Sequence, residues 1–394
     1  MRGISGASDL TEELLELKIG VFHPPIHPRH FGGSVAVTVP IVNGLIENGY
    51  HVVLFVKDEI NQKKLKERMG EEISPLAEAI LKKSILKPRG PLDLYESAFK
   101  LLILKMKCDI VIDTYSDYIF PWCDVCYVHF PYINNDKFGQ RFPYLRKRRG
   151  LESTVNLPYV ILEKNLGKNH AQLILANSGF TSRAIEESLG IHAKVLYPPV
   201  SPLFFEKTDC ADSGEDRRED LVVTVGRLDA GKRLETIPRI ASLLRKERVK
   251  FIIMGFSHSE EALRMINEEI RKLDVTENVS LKLDISREEM KNTLKKAKVY
   301  LHTPILEHFG ISIAEAMACG CLPVVYDNGG AREFVPQELR YKSLHEAADK
   351  TRKAISQWNP RRAREMKTIA ERFAEPNYRE NFLRIFSDYL RKRG

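Results

Sequence analysis

Short β-rich runs alternate with amphipathic helical stretches along this 394-residue chain, and that alternation constrains the fold more than any single motif. In the first half the runs are 18–22, 51–56, 109–113, 125–130, 172–177 and 194–197. In the second half they are 221–225, 250–254, 279–283, 299–302 and 323–326. Strands separated by helix-length segments pair in parallel, because a parallel crossover needs a dozen or more residues. The expected fold class is therefore α/β with parallel sheets. Residues 206–220 are polar and lack apolar periodicity, so they read as a linker. The expected division is one domain over 1–205, the linker over 206–220 and a second domain over 221–375. The last stretch, 376–394, is a charged helix expected to pack back on the first domain. In doubly wound sheets ligands bind beyond the carboxyl ends of the strands, so the two domains are expected to face each other across a cleft.

Composition removes several classes. No run approaches the roughly 18–20 apolar residues of a membrane span. The N-terminus lacks a charged-then-apolar leader pattern, so the expected location is cytoplasmic. Six cysteines are too few for a disulfide scaffold. Cys123-x-x-Cys126 sits in an apolar, strand-like run and reads as two small buried hydrophobes rather than a metal pair. The formal charge of +8 favours anionic ligands or surfaces. The densest basic segment is 141–149, where Arg141, Arg146, Lys147, Arg148 and Arg149 interleave with Phe142, Tyr144 and Leu145. It is either a solvated loop or a contact with lipid headgroups on an anionic membrane face. No nucleic-acid partner is expected.

The most informative motif is Glu307-His308-Phe309-Gly310-Ile311-Ser312-Ile313-Ala314-Glu315. Its carboxylates lie eight residues apart, one in a strand-to-helix loop and one in the first helical turns. A helix start after a parallel strand presents free N–H groups to an anion, while carboxylates beside it suit hydroxyls. Phosphate and hydroxyls together describe a nucleotide-sugar. The plainer reading of Ser312-x-x-Glu315 is a capping box, a pattern repeated at Ser286-x-x-Glu289.

Gly226-Arg227-Leu228-Asp229-Ala230-Gly231-Lys232-Arg233 nearly matches a P-loop, but Arg233 stands where a hydroxyl must hold magnesium. Arg227 and Lys232 remain suited to a diphosphate without a metal, one as a fork and one as a point charge. The plain alternative is a surface turn with solvated charges. No two glycines are spaced i, i+2, so the dinucleotide fingerprint of a dehydrogenase is missing. Gly32 and Gly33, at a strand-to-helix turn, permit either close approach to a ligand or close helix packing. His129 ends the run at 125–130, a functional position, although a lone histidine is more often structural.

In this order and spacing, the glycine turn at 32–34, His129, Gly226-Arg227 with Lys232, Glu307-x7-Glu315 and Gly329-Gly330 resemble the family 4 glycosyltransferases. The resemblance spans nearly the whole chain. It implies the GT-B fold, two Rossmann-like doubly wound domains facing across a cleft. Glu307-His308-Phe309-Gly310-Ile311 looks like the mannosyltransferases that build dolichol-linked glycans. Val128-His129-Phe130-Pro131-Tyr132-Ile133 and Tyr197-Pro198-Pro199-Val200 look most like the α-1,2-mannosyltransferase type. The glycine turn is shorter than the family's usual run.

The resemblance implies a retaining, metal-independent transfer of a hexose, best matched by mannose from GDP-mannose, to a glycan or lipid-linked glycan. It implies no bound cofactor or metal. Arg227 and Lys232 would bind the diphosphate, Glu307 the sugar hydroxyls and Glu315 the ribose. The backbone at Phe309, Gly310 and Ile311 would cap the phosphates, with Gly226 beside them. Gly32 and Gly33 would approach the donor, and His129 would contact the transferred sugar or acceptor. The competing readings are another GT-B enzyme such as a nucleotide-sugar epimerase, a glucosyl or GlcNAc transferase using a UDP-sugar, and a basic membrane-binding module with a vestigial cleft.

Overall fold

A computed structural model describes residues 17–26, 32–81, 93–131, 172–206, 218–228, 230–257 and 260–393. The chain forms two compact units, Met1–Pro198 with Pro376–Gly394, and Pro199–Glu375. The basic segment 141–149 lies outside the described residues. Among the described residues no helix is long and apolar enough to cross a membrane.

The first unit is built on a parallel sheet of seven strands: β1 (Lys18–Phe22), β2 (His51–Val56), β3 (Glu78–Leu81), β4 (Ile110–Asp113), β5 (Val125–Val128), β6 (Leu173–Ala176) and β7 (Lys194–Val195). Their order is β3-β2-β1-β4-β5-β6-β7. Every residue of β4, β5 and β6 is buried, as expected of strands covered on both faces. Cys123 and Cys126 are among the buried core residues at β5. Strand β3 was not anticipated, because Glu-Ala-Ile-Leu is too short and mixed to show alternation.

The helix Glu375–Arg393 completes this unit. Tyr378, Phe382, Phe386 and Leu390 share a core with Ile19, Val35 and Leu54. Arg379 donates to Glu47 at 2.6 Å and also to Glu71, and Arg393 donates to Asp124 at 2.6 Å.

The second unit carries a six-stranded sheet: β8 (Glu219–Leu228), β9 (Lys250–Ser257), β10 (Val279–Leu283), β11 (Ala297–His302), β12 (Leu322–Tyr326) and β13 (Arg340–Tyr341), ordered β10-β9-β8-β11-β12-β13. Strand β8 runs on past Val225 through Gly226 and Arg227, which the sequence reading placed in a turn. Gly226 pairs with Gly255 of β9, and a Cβ on Gly255 would stand 2.0 Å from the Gly226 carbonyl oxygen. The two glycines let the strands stay in close contact, so here glycine extends a ladder instead of ending it.

The boundaries of the second unit also differ from the sequence reading. Val200 donates to the Phe373 carbonyl at 2.7 Å, tying 199–205 to this unit. Arg218 donates to the carbonyls of Ala297 at 2.8 Å and Cys319 at 2.6 Å, and stacks 5.0 Å from the Trp358 ring. Residues 218–220 are therefore structural, and the rest of the expected linker, 207–217, lies outside the described residues. The stretch expected as one helix over 376–394 is the helix Glu375–Arg393, and a separate helix, Pro360–Glu371, precedes it in the second unit. In each sheet the strand order reverses once, at β1/β4 and at β8/β11. The carboxyl ends flanking those points are where doubly wound sheets hold ligands.

Candidate active site

Lys232 and Glu307 meet beside the β8/β11 reversal. After β8, Ala230–Lys232 forms a single 3-10 turn and Arg233 adopts a left-handed φ of 51°. The next helix starts only at Thr236, whose hydroxyl donates to the Arg233 carbonyl at 2.7 Å. Lys232 is thus not at a helix start, as a P-loop lysine would be. Thr303, just beyond β11, donates its hydroxyl to the Lys232 carbonyl at 2.6 Å and fixes the turn against that strand. From there Lys232 Nζ donates to Glu307 Oε2 at 2.9 Å.

The same Glu307 oxygen lies 3.0 Å from His302 Nε2. His302 ends β11 and is buried, with its Nδ1 making no hydrogen bond among the described residues. Burial lowers the His302 pKa, so its ring is neutral and donates from Nε2. Tyr341 holds the His302 carbonyl with a 2.9 Å bond from its hydroxyl. Burial pushes the Glu307 carboxyl up, but the Lys232 charge and the His302 bond prevail and hold it well below the usual carboxylate range. The side chains of Lys232 and Glu307 keep 25% and 17% exposure, so a ligand can reach the pair.

The loop carrying Glu307 is fixed by glycines. Gly330 donates to the Glu307 carbonyl at 2.8 Å. A Cβ on Gly330 would stand 1.9 Å from the His308 carbonyl oxygen, and one on Gly329 2.1 Å from that of Glu307. Phe309 is buried, 5.0 Å ring to ring from both Phe334 and Phe373. Gly310 caps the helix Ile311–Ala318 with φ 97°, no side-chain cap and no acidic residue in the first turn.

The capping-box reading of Glu315 does not hold. The helix begins at Ile311, which places Ser312 inside the first turn, where its Oγ lies 2.8 Å from the Tyr300 hydroxyl. Glu315 is buried, and its Oε1 accepts from Arg287 Nη2 at 2.6 Å. The matching pattern at Ser286 does cap: its Oγ accepts from the Glu289 N–H at 3.1 Å. Arg227 is exposed within β8, opposite Phe256.

The remaining candidates belong to the first unit. Gly32 and Gly33 are exposed at the start of the helix Gly33–Glu47, which has no side-chain cap. His129 follows β5 and donates from Nε2 to the Thr114 carbonyl at 3.0 Å. Near it, at the β1/β4 reversal, lies His23, which the sequence reading missed. His23 is fully buried, with Nδ1 at 2.8 Å from the Thr38 hydroxyl and 3.2 Å from that of Thr114. Its Nε2 makes no hydrogen bond among the described residues, and burial first, with the neighbouring His129, lowers its pKa to about 3. His302, Thr303 and Arg287 were missed as well. His23 and His302 each sit at a strand's carboxyl end, the positional signal that singled out His129.

Residues 206–371, which hold Lys232, Glu307 and Glu315, match the family described as Glycosyl transferases group 1. This part of the chain is a glycosyl transferases group 1 domain. The GDP-Man:Man(3)GlcNAc(2)-PP-Dol alpha-1,2-mannosyltransferase of Caenorhabditis elegans is 27% identical over 238 residues, covering 53% of this chain and 49% of that protein. The Homo sapiens protein of the same name is 28% identical over 237 residues, covering 52% and 46%. The chain thus spans about half the length of these curated relatives.

Among solved structures, Anabaena HepE in complex with UDP and glucose superposes with a TM-score of 0.70 at 16% identity, covering 95% of this chain and all of that one. Sucrose-phosphate synthase from Thermosynechococcus elongatus gives 0.72 at 14%, covering 96% and 100%. The fold is GT-B, with two Rossmann-like parallel-sheet domains, and the group 1 domain lies within the second.

Proposed function

We propose that this protein is a retaining, metal-independent glycosyltransferase that moves mannose from GDP-mannose to a glycan or lipid-linked glycan. The observation that carries the reading is the Lys232–Glu307 pair at the β8/β11 reversal of a group 1 domain. The names of the mannosyltransferase relatives support the choice of donor and of a lipid-linked acceptor.

In this reading Lys232 supplies a point charge, and Arg227 a fork, to the donor diphosphate. The N–H groups at Phe309, Gly310 and Ile311 add to them at the helix start. Glu307, already bonded to Lys232 and His302, turns toward the sugar hydroxyls, and Glu315 takes the ribose. In the first unit His129 contacts the transferred sugar or acceptor, with Gly32 and Gly33 against the donor. The bond between the anomeric carbon and the phosphate oxygen breaks as the acceptor hydroxyl bonds to the same face. Negative charge collects on the diphosphate as that bond breaks, and the leaving phosphate takes the acceptor's proton. Stabilising that charge with preorganised cations is the main catalytic effect. The protein acts in the cytoplasm, with 141–149 against an anionic membrane face.

The test pairs binding with turnover. GDP-mannose, UDP-glucose and UDP-GlcNAc are compared by thermal shift, where a ligand at a hundredfold excess over Kd stabilises the fold by about 3 kcal/mol. GDP-mannose should give the largest shift, and mass spectrometry should detect an acceptor gaining one hexose. A larger shift with a UDP-sugar overturns the donor. An interconverted nucleotide-sugar with no glycosylated acceptor overturns the transfer.

A further inference from the structure

Glu315 is not the end of the contact chain in the second unit. Its carboxylate is held by Arg287 at 2.6 Å, in a pair whose side chains are 17% and 4% exposed. Arg287 opens the helix Arg287–Lys296, whose start is fixed by the Ser286 cap. Its guanidinium Cζ lies over the Phe204 ring, 4.5 Å from the centroid, and its Nε is buried without a hydrogen bond among the described residues. Phe204 is itself fully buried in the short 3-10 segment Pro202–Phe205. An aromatic plate, a capped helix start and a carboxylate thus fix the fork from three sides. A buried, polar group left partly unsatisfied in so ordered a setting is an unfavourable arrangement that a purely structural ion pair does not need.

We propose that Arg287 is a positioning residue for the nucleotide: it sets the orientation in which Glu315 meets the ribose diol. The inference rests on the reading of Glu315 as the ribose contact. In this scheme Arg287 acts on the nucleotide only through Glu315, and a lysine, with its point charge on a flexible stem, would not hold the carboxylate plane.

The test uses the full chain, titrated by calorimetry with GDP and with 2′-deoxy-GDP. Wild type should prefer GDP by roughly tenfold or more, the usual range for a hydrogen bond to a charged group. Glu315→Gln should lose most of that preference. Arg287→Gln should lose it too, while affinity for 2′-deoxy-GDP stays within about twofold of wild type. Arg287→Lys should reduce the preference at least about threefold with the fold intact; it decides the matter if Arg287→Gln does not fold. A purely structural Arg287 would weaken both nucleotides equally and leave the ratio unchanged in both variants, which overturns the inference while the ribose reading stands. No preference in wild type, or one that Glu315→Gln retains, overturns the ribose reading and the inference with it.

Discussion

Lys232 Nζ lies 2.9 Å from Glu307 Oε2 across 75 residues of sequence, and His302 reaches the same oxygen at 3.0 Å. One carboxylate oxygen therefore gathers the end of β8, the end of β11 and the loop that follows. Changing any of the three alters the electrostatics of the other two.

That coupling is measurable. Lys232→Ala and Glu307→Gln should each lower kcat/KM by roughly ten- to a hundredfold, the loss expected for a charge-assisted contact to the transition state. Because the two side chains touch, the double variant should lose much less than the product of the single losses. Strictly multiplicative losses would mean that the residues act independently, and normal turnover in both would remove them from the site.

Gly330→Ala tests whether the glycine contacts set the position of Glu307. The added Cβ would press on the His308 carbonyl at 1.9 Å, so the loop must shift. Overpacking of this kind costs about 1–3 kcal/mol or more, and the melting temperature should fall. Nucleotide-sugar turnover should fall further than melting alone explains, measured at a temperature where the variant remains folded. Full activity with lowered melting would show that the loop tolerates displacement.

His23 gives the fold a pH dependence. Its pKa is lowered from 6.5 to about 3 by burial and by His129. Below pH 6.5 the unfolded chain binds a proton that the folded chain refuses, so stability is full above that value. It declines as pH falls toward 3, by up to about 1.4 kcal/mol per pH unit. Urea unfolding of wild type and His23→Asn at pH 7, 6 and 5 should show the steeper acid loss in wild type. Parallel curves would mean that His23 titrates normally.

Turnover should survive EDTA. Arg227 lies within β8, Lys232 lies in the turn that follows it, and the helix start at Ile311 has no side-chain cap, so in the proposed reading these groups take the place of an ion. Loss of activity with EDTA, restored by Mg²⁺ or Mn²⁺, would point to a metal-assisted leaving group.

The strands and their parallel pairing were legible because buried strands in α/β proteins are continuous apolar runs. The switch points were not, since strand order depends on contacts across the sheet. The glycines at 226 and 255 show the limit clearly: each looks like a turn signal alone, and only their pairing reveals a strand extension. Ser312-x-x-Glu315 misled for a related reason. Two residues of difference in where the helix starts, set by Gly310, remove Ser312 from the cap and free Glu315 for Arg287. His302, His23 and Arg287 had no spacing pattern of their own. Their roles come from burial and from partners far away in sequence.

The return of the last helix to the first unit has a consequence for synthesis. The second unit, Pro199–Glu375, is one uninterrupted piece and is complete once Glu375 has been made. The first unit begins earlier yet waits for Tyr378, Phe382, Phe386 and Leu390 to close its core. During translation the usual order, in which N-terminal domains mature first, is therefore reversed. The nascent sheet around β1 and β2 would remain open on one side while the second unit folds downstream of it. A free chain truncated after residue 375 would hold a finished second unit on an unfinished first one, and a protease should cut its N-terminal part and spare its C-terminal part.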